Sequence, residues 1–206
     1  GSGRCYGYRR NLQSHARPRG ASPGELILIR EDAVPRAISY HRPGSVHDAI
    51  SLLVNNDHLP LAGGTVLNAD DDPTLVSFVD LQECGLANID EVGSRLRLGA
   101  MLTLHDLTTD SRVPVGLANA ARAELPSTLR TLATIGGTVA TRHADSVLLA
   151  ALLVYEACVT VAGPNEESVV PLAELLHNGV DKGHLVVALD VETSGTCVRH
   201  ATSRTP

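Results

Sequence analysis

The spacing of apolar residues along the chain predicts several amphipathic helices. Ser45 follows an Arg-Pro-Gly turn and is placed to cap a helix in which Ala49 and Leu53 recur on one face. Thr103 stands in the same way before a helix that reaches Leu107. Further helices are predicted at residues 115–125, 145–157 and 170–177.

Short apolar runs between these helices predict β-strands. They lie at residues 58–61, 74–81, 158–163 and 184–192. Apolar alternation on both sides of Gly93 and Ser94 predicts a β-hairpin. Because helices and strands alternate along the chain, the pattern predicts an α/β or α+β protein with a partly parallel sheet.

Two glycine pairs each follow an apolar run and precede a threonine. They lie in LAGGT, residues 61–65, and in ATIGGT, residues 133–138. Glycine accepts a positive φ and has no side chain, so backbone N–H groups near such a pair can converge on an anion. Neither pair fits GxGxxG or GxxxxGK[ST], and a tight turn is the simpler explanation of either pair alone. Their repetition leads us to a hypothesis of one shared diphosphate ligand.

Composition narrows the possible functions. The chain has 206 residues, of which 43% are hydrophobic, enough for one domain or two packed lobes. Residues 1–24 contain five arginines and no acidic residue, and we interpret them as a disordered leader with a tag remnant. The remaining chain is acidic, which argues against nucleic-acid binding through phosphate contacts. A nucleic-acid binder that uses the arginines stays open as a minor alternative.

Residues suited to catalysis or metal binding are few, and none is assigned a catalytic or metal-binding role. The four cysteines form no CxxC motif, which favours a reduced, cytoplasmic protein without a zinc or iron–sulfur site. Residues 70–72 are adjacent aspartates without the spacing of a calcium loop, so we expect a solvated turn. His143 and Asp145 could orient a proton-transfer pair, although a surface loop is the simpler interpretation. No apolar run is long enough for a membrane span.

Several stretches, taken in order, resemble the FAD-binding subunit of the molybdenum hydroxylases. They are ISYHRPGSVHDAISLL, LAGGT, FVDL, RLRLGAMLTLHDL, LRTLATIGGTVA, LLAALLVYEACVTVAGP and VPLAELL. This family includes the medium chain of aerobic carbon monoxide dehydrogenase and the flavin domain of xanthine dehydrogenase. The resemblance implies an α+β, two-lobed FAD-binding fold of the p-cresol methylhydroxylase type. It implies lobes at residues 25–90 and 91–190, with residues 191–206 beginning a truncated C-terminal domain.

The resemblance also implies which residues bind FAD. Two loops are expected to hold its diphosphate: Ala62, Gly63, Gly64, Thr65 and Val66 in the first, and Thr134, Ile135, Gly136, Gly137 and Thr138 in the second. Further contacts are expected at Arg130, Val186 and His200. The family's usual aspartate falls at Val147, so we expect Asp145 or Ser146 to take its place.

The implied function is electron transfer. FAD would carry electrons from iron–sulfur clusters on a partner chain to an external acceptor, and a molybdopterin subunit would complete a heterotrimer. The lack of an acid–base pair fits this function, because the cofactor supplies the redox chemistry. The alternative is a truncated, non-catalytic scaffold module that keeps the fold but binds FAD weakly or not at all.

Overall fold

Two β-sheets organise the described part of the chain. The computed structural model describes residues 37–67 and 75–194. The predictions for the arginine-rich leader, for the three aspartates at 70–72, for residues 195–206 and for His200 therefore lie outside the described residues. Sheet and helix contents together give an α+β architecture.

The smaller sheet is parallel. It contains β1 (Ala37–His41), β2 (His58–Leu61) and β3 (Val76–Asp80) in the order β1-β3-β2. Helix α1 (Val46–Leu53) connects β1 to β2, as parallel strands require a crossover. The Ser45 Oγ accepts a hydrogen bond from the Asp48 N–H at 3.1 Å, which confirms the predicted cap.

The larger sheet is antiparallel. Its strands are β4 (Ile89–Val92), β5 (Arg95–Gly99), β6 (Cys158–Ala162), β7 (Glu167–Pro171) and β8 (Leu185–Glu192), in the order β4-β5-β8-β6-β7. Strands β4 and β5 form the predicted hairpin, with Gly93 at a φ of 62°. The chain passes from the smaller sheet to the larger one between Asp80 and Ile89.

The remaining described helices lie between strands of the larger sheet. They are α2 (Leu104–Thr109), α3 (Val115–Glu124), α4 (Ser127–Arg130), α5 (Ile135–Thr141), α6 (Val147–Val154) and α7 (Leu172–Asn178). Three sequence predictions were wrong in detail. The helix predicted from residue 145 begins at Val147, the helix predicted from residue 170 begins at Leu172, and the second glycine pair lies inside α5.

Both faces of the larger sheet contribute to apolar cores. One core joins that sheet to the helices that follow it, with Leu104, Leu117, Leu148 and Leu189 fully buried. The other core joins α1 and β3 to Leu185 and Val187 of β8 and to Ala162 of β6. The smaller sheet is therefore packed onto the larger one by aliphatic side chains, as the low aromatic content requires. Within the described ranges no helix has both the length and the apolar character to cross a bilayer.

Candidate functional site

The structure brings the two glycine segments into direct contact. Gly63 follows β2, and a β-carbon at this position would lie 1.7 Å from the carbonyl oxygen of Leu132. No side chain fits at that distance, so the close approach of the two backbones requires glycine. Leu132 comes just before Thr134, the N-cap of α5. Residues 61–66 and 132–138 therefore meet at one place on the molecule.

The first segment has the backbone of an anion site. Gly64 has a φ of 67°, the left-handed region that glycine adopts without strain. Residues 62–65 are half-buried and Val66 is exposed. Among the described residues, no acceptor is present for the N–H groups of residues 62–66. These donors can therefore serve a ligand that approaches the loop.

The second segment uses its N–H groups within the protein. The Ile135 N–H donates to the Leu102 carbonyl at 2.9 Å, and the Gly136 N–H donates to the Ala100 carbonyl at 2.9 Å. Thr134 accepts the next two bonds, from Gly137 at its Oγ1 and from Thr138 at its carbonyl. The hypothesis that both glycine pairs form nests of available N–H groups is therefore wrong for the second pair.

The two glycines of the second segment face opposite environments. A β-carbon on Gly136 would lie 2.7 Å from the Ala100 β-carbon and 2.8 Å from the Ala100 oxygen. On Gly137 it would approach only the Thr134 Oγ1, at 3.1 Å. Gly136 is thus a packing glycine on the core side of α5, while Gly137 leaves an open surface. Thr138 is half-buried beside that surface, and its hydroxyl donates to the Thr134 carbonyl at 3.1 Å.

The Arg130 side chain donates hydrogen bonds to the C-terminal end of α3. Its Nη1 donates to the carbonyls of Arg122 and Leu125, at 2.8 Å each, and so satisfies acceptors at the C-terminus of α3. Its Nε is buried and lacks a hydrogen-bond partner among the described residues. The geometry therefore gives this arginine a structural role within the described chain.

The other predicted FAD contacts in the described residues differ in exposure to solvent. Asp145 is exposed in the turn before α6, whereas Ser146 is buried and accepts a hydrogen bond from the Leu149 N–H at 3.1 Å. Val147 occupies the first position of α6 and is buried. Val186 is buried in β8, where it pairs with Val161 of β6. Since Ser146 is occupied as a helix cap, Asp145 is the residue of the two with an exposed polar group.

Sequence reasoning missed a buried carboxylate beside the first segment. Asp80 ends β3, where it pairs with Leu61 at the start of the glycine loop, and its side chain is 1% exposed. It accepts hydrogen bonds from the Tyr40 hydroxyl, from the Arg42 Nε at 2.9 Å and from the Gln82 N–H at 3.0 Å. The signal was an aspartate inside the otherwise apolar run FVDL, residues 78–81.

These contacts determine how Asp80 titrates. Burial raises the pKa of Asp80, but the hydrogen bonds from Tyr40, Gln82 and Arg42 and the charge of Arg42 lower it more. The carboxyl pKa is therefore below its ordinary value. Hydrogen bonds to Tyr40 and to Asp80 raise the pKa of Arg42 in turn. Asp80 and Arg42 form an ion pair at 2.8 Å, which fixes the end of β3 next to the loop.

Residues 36–191 match the family described as the FAD binding domain in molybdopterin dehydrogenase. The chain belongs to this family. Its members bind FAD through the domain that the match covers, so the cofactor predicted from the sequence is confirmed. The residue contacts to that cofactor remain predictions.

Curated relatives and solved structures agree with this assignment. The carbon monoxide dehydrogenase medium chain of Afipia carboxidovorans is 28% identical, over 79% of this chain and 61% of that relative. The xanthine dehydrogenase FAD-binding subunit of Escherichia coli O157:H7 is 30% identical, over 74% and 53%. A solved carbon monoxide dehydrogenase from Hydrogenophaga pseudoflava superposes with a TM-score of 0.72 at 26% identity, over 79% of this chain and 61% of that chain. The FAD-binding chain thus spans between half and two thirds of the length of these relatives.

Proposed function

We propose that this chain is the flavin-binding electron-transfer subunit, or part of it, of a molybdenum-containing hydroxylase or dehydrogenase. The observation that carries the proposal is the contact between Gly63 and Leu132, which joins the two family segments beside N–H groups that have no acceptor among the described residues. Similarity to subunits of carbon monoxide and xanthine dehydrogenases supports the same reaction class. The proposed fold is the two-lobed flavin domain of the p-cresol methylhydroxylase type.

The two segments would contribute differently to binding a diphosphate: the first through its backbone N–H groups, and the second through open space and a hydroxyl group. Residues 62–66 would donate backbone hydrogen bonds to the phosphate oxygens, with Gly64 supplying the necessary φ. Gly137 would leave room for the ligand, and the hydroxyl of Thr138 would line the opposite side. The remaining proposed contacts are Ile135, Asp145, Val186 and His200. Arg130 would act by holding α3 in place against the segment that leads to Thr134.

Bound FAD would supply the redox chemistry, as cofactors do in enzymes that transfer electrons. The chain would bind the cofactor, orient it and restrict its contact with water. We propose that the iron–sulfur clusters and the molybdopterin belong to two partner chains of a heterotrimer, and that electrons leave to an external acceptor. The CxxC-free sequence supports this division, and we propose a reduced, cytoplasmic setting for the chain.

A titration of the purified chain with FAD tests the flavin proposal directly. Saturable quenching of flavin fluorescence at one FAD per chain is expected. Gly137→Ala should weaken binding, and Gly137→Val should weaken it further, by about tenfold or more, since each added methyl occupies the open side of α5. Gly44→Val is the matched control, because a β-carbon at Gly44 has no neighbour within 4 Å.

One observation favours the scaffold alternative. The N–H groups of residues 135–138 find acceptors within the protein, and the Arg130 Nη1 donates to two backbone carbonyls. A chain that never binds FAD would show no saturable quenching, and its Gly137 variants would match the wild type. That result would overturn the flavin proposal and leave the scaffold module.

A further inference from the structure

We propose that Ala100 is the positioning residue that sets the depth of α5 and thereby the width of the flavin site. The proposal rests on the proposed FAD-binding function. Ala100 is 4% exposed and packs against Gly136, so we assign it an action through its neighbours. It lies in the turn between β5 and α2, outside both glycine segments.

Hydrogen bonds from Ala100 connect two parts of the predicted site. Its N–H donates to the Val187 carbonyl of β8 at 3.0 Å, and its carbonyl accepts from the Gly136 N–H at 2.9 Å. Val187 is adjacent to Val186, one of the proposed cofactor contacts. A single alanine thus spans the distance between β8 and the start of α5.

The turn that contains Ala100 is itself held on two sides. The Gly99 N–H donates to the Asn88 carbonyl at 2.8 Å, and the Met101 N–H donates to the Leu86 carbonyl at 2.9 Å. A β-carbon on Gly99 would lie 2.2 Å from the Leu86 oxygen, so this turn cannot shift outward to accept bulk. A larger side chain at position 100 must therefore displace Gly136 and not the turn itself.

Backbone hydrogen bonds join the residues after Ala100 to the second glycine segment, so the position of residue 100 also affects that segment. The Leu104 N–H donates to the Ala133 carbonyl, and the Ile135 N–H donates to the Leu102 carbonyl, both at 2.9 Å. Thr103 and Thr134 face each other between these bonds. A displacement of Gly136 is consequently transmitted to Gly137 and Thr138, which line the open surface.

The test compares FAD affinity in two variants with the same added volume. Ala100→Val places two methyl groups against Gly136, whereas Ala121→Val places them in the same core, on α3, at a side chain that is 0% exposed. We expect both to lower Tm, and only Ala100→Val to raise the Kd for FAD, by about tenfold. Amide exchange of Gly136 in the FAD-free protein should also accelerate in Ala100→Val, because its bond to residue 100 is displaced.

The outcomes separate this inference from the flavin proposal. Wild-type affinity in Ala100→Val, or an equal loss in Ala121→Val, overturns the positioning role while FAD binding stands. Absence of FAD binding in the wild type overturns both. If Ala100→Val does not fold, Ala100→Gly replaces it: Gly136→Ala should lose less FAD affinity in the Ala100→Gly background than alone, and equal losses refute the role.

Discussion

At Gly63, backbone packing alone requires glycine, whether or not a ligand is bound. A β-carbon would overlap the Leu132 carbonyl at 1.7 Å, so Gly63→Ala must separate the two segments. We expect a loss of at least about 2 kcal/mol in the free energy of unfolding, together with loss of FAD binding. Urea denaturation followed by circular dichroism measures the first and flavin fluorescence the second. Gly44→Ala, in open space, should change neither, and equal behaviour of the two variants would refute the contact.

Asp80 makes stability depend on pH in a defined direction. Its folded pKa is below the unfolded value, so its contribution is complete above the unfolded pKa and is lost as pH falls through the folded pKa. Asp80→Asn should cost about 2 kcal/mol at pH 7, because hydrogen bonds from Arg42 and Tyr40 lose their charged acceptor. Urea denaturation at several pH values measures both effects.

The expected pH profile distinguishes Asp80 from an ordinary surface carboxylate. Below about pH 4, the difference between wild type and Asp80→Asn should shrink, since the wild type then loses the same charge. Asp181→Asn is the control, because Asp181 is exposed in the loop before β8. A difference that stays constant from pH 7 to pH 3 would contradict the assigned role of the Asp80 charge.

At the scale of elements, the N-terminus of α2 lies next to the candidate site, because Thr103 pairs with Thr134. Thr103 and Asp106 form a capping box, in which the Thr103 Oγ1 accepts from the Asp106 N–H at 3.1 Å. Thr103→Ala should cost about 1 kcal/mol in chemical denaturation, the usual value of an N-cap. Thr109→Ala, on the exposed face of the same helix, should stay within about 0.5 kcal/mol. Similar losses of unfolding free energy in both variants would contradict a specific stabilising role for the Thr103 cap.

Elements with local signals could be predicted from the sequence, and elements fixed by distant contacts could not. Ser45 and Thr103 cap their helices as predicted, because a cap involves residues only three apart. Helix α5 was missed because two glycines disfavour a helix interior. Its first turn is stabilised by the carbonyls of Ala100 and Leu102, more than thirty residues earlier. Strand β7 was missed because it lies at an edge of the sheet, with Val169 exposed.

For the candidate site, too, the sequence predicted the local features but not those that depend on distant contacts. The repeated GGT indicated two segments that share a ligand, and the structure places Gly63 against Leu132. The sequence could not show that the N–H groups of the second segment are used by the protein, since their acceptors lie in the turn after β5. Nor could it show that Arg130 closes α3, because the end of that helix is defined by its packing.

At the scale of the whole molecule, the larger sheet couples the two halves of the site. Strand β8 contributes Leu185 and Val187 to the core around α1, and Val186 and Leu189 to the core around α3 and α6. The first glycine segment extends from the smaller sheet and the second from the helical side of the larger one. The two segments approach each other closely at the backbone of Gly63 and Leu132, so a ligand held by both segments should stabilise this contact.

Removal of FAD should therefore lower the stability of the entire chain. A ligand that binds only the folded state adds about 2.7 kcal/mol when its concentration is a hundred times its Kd. Urea denaturation with and without FAD should show this difference as one transition, detected equally by circular dichroism and by tyrosine fluorescence. Riboflavin is the informative control, since it carries the ring system without the diphosphate. If residues 62–66 bind the diphosphate through their N–H groups, riboflavin should stabilise the chain far less than FAD at the same concentration. Equal stabilisation by both would place the binding energy on the ring and contradict the role proposed for the first segment.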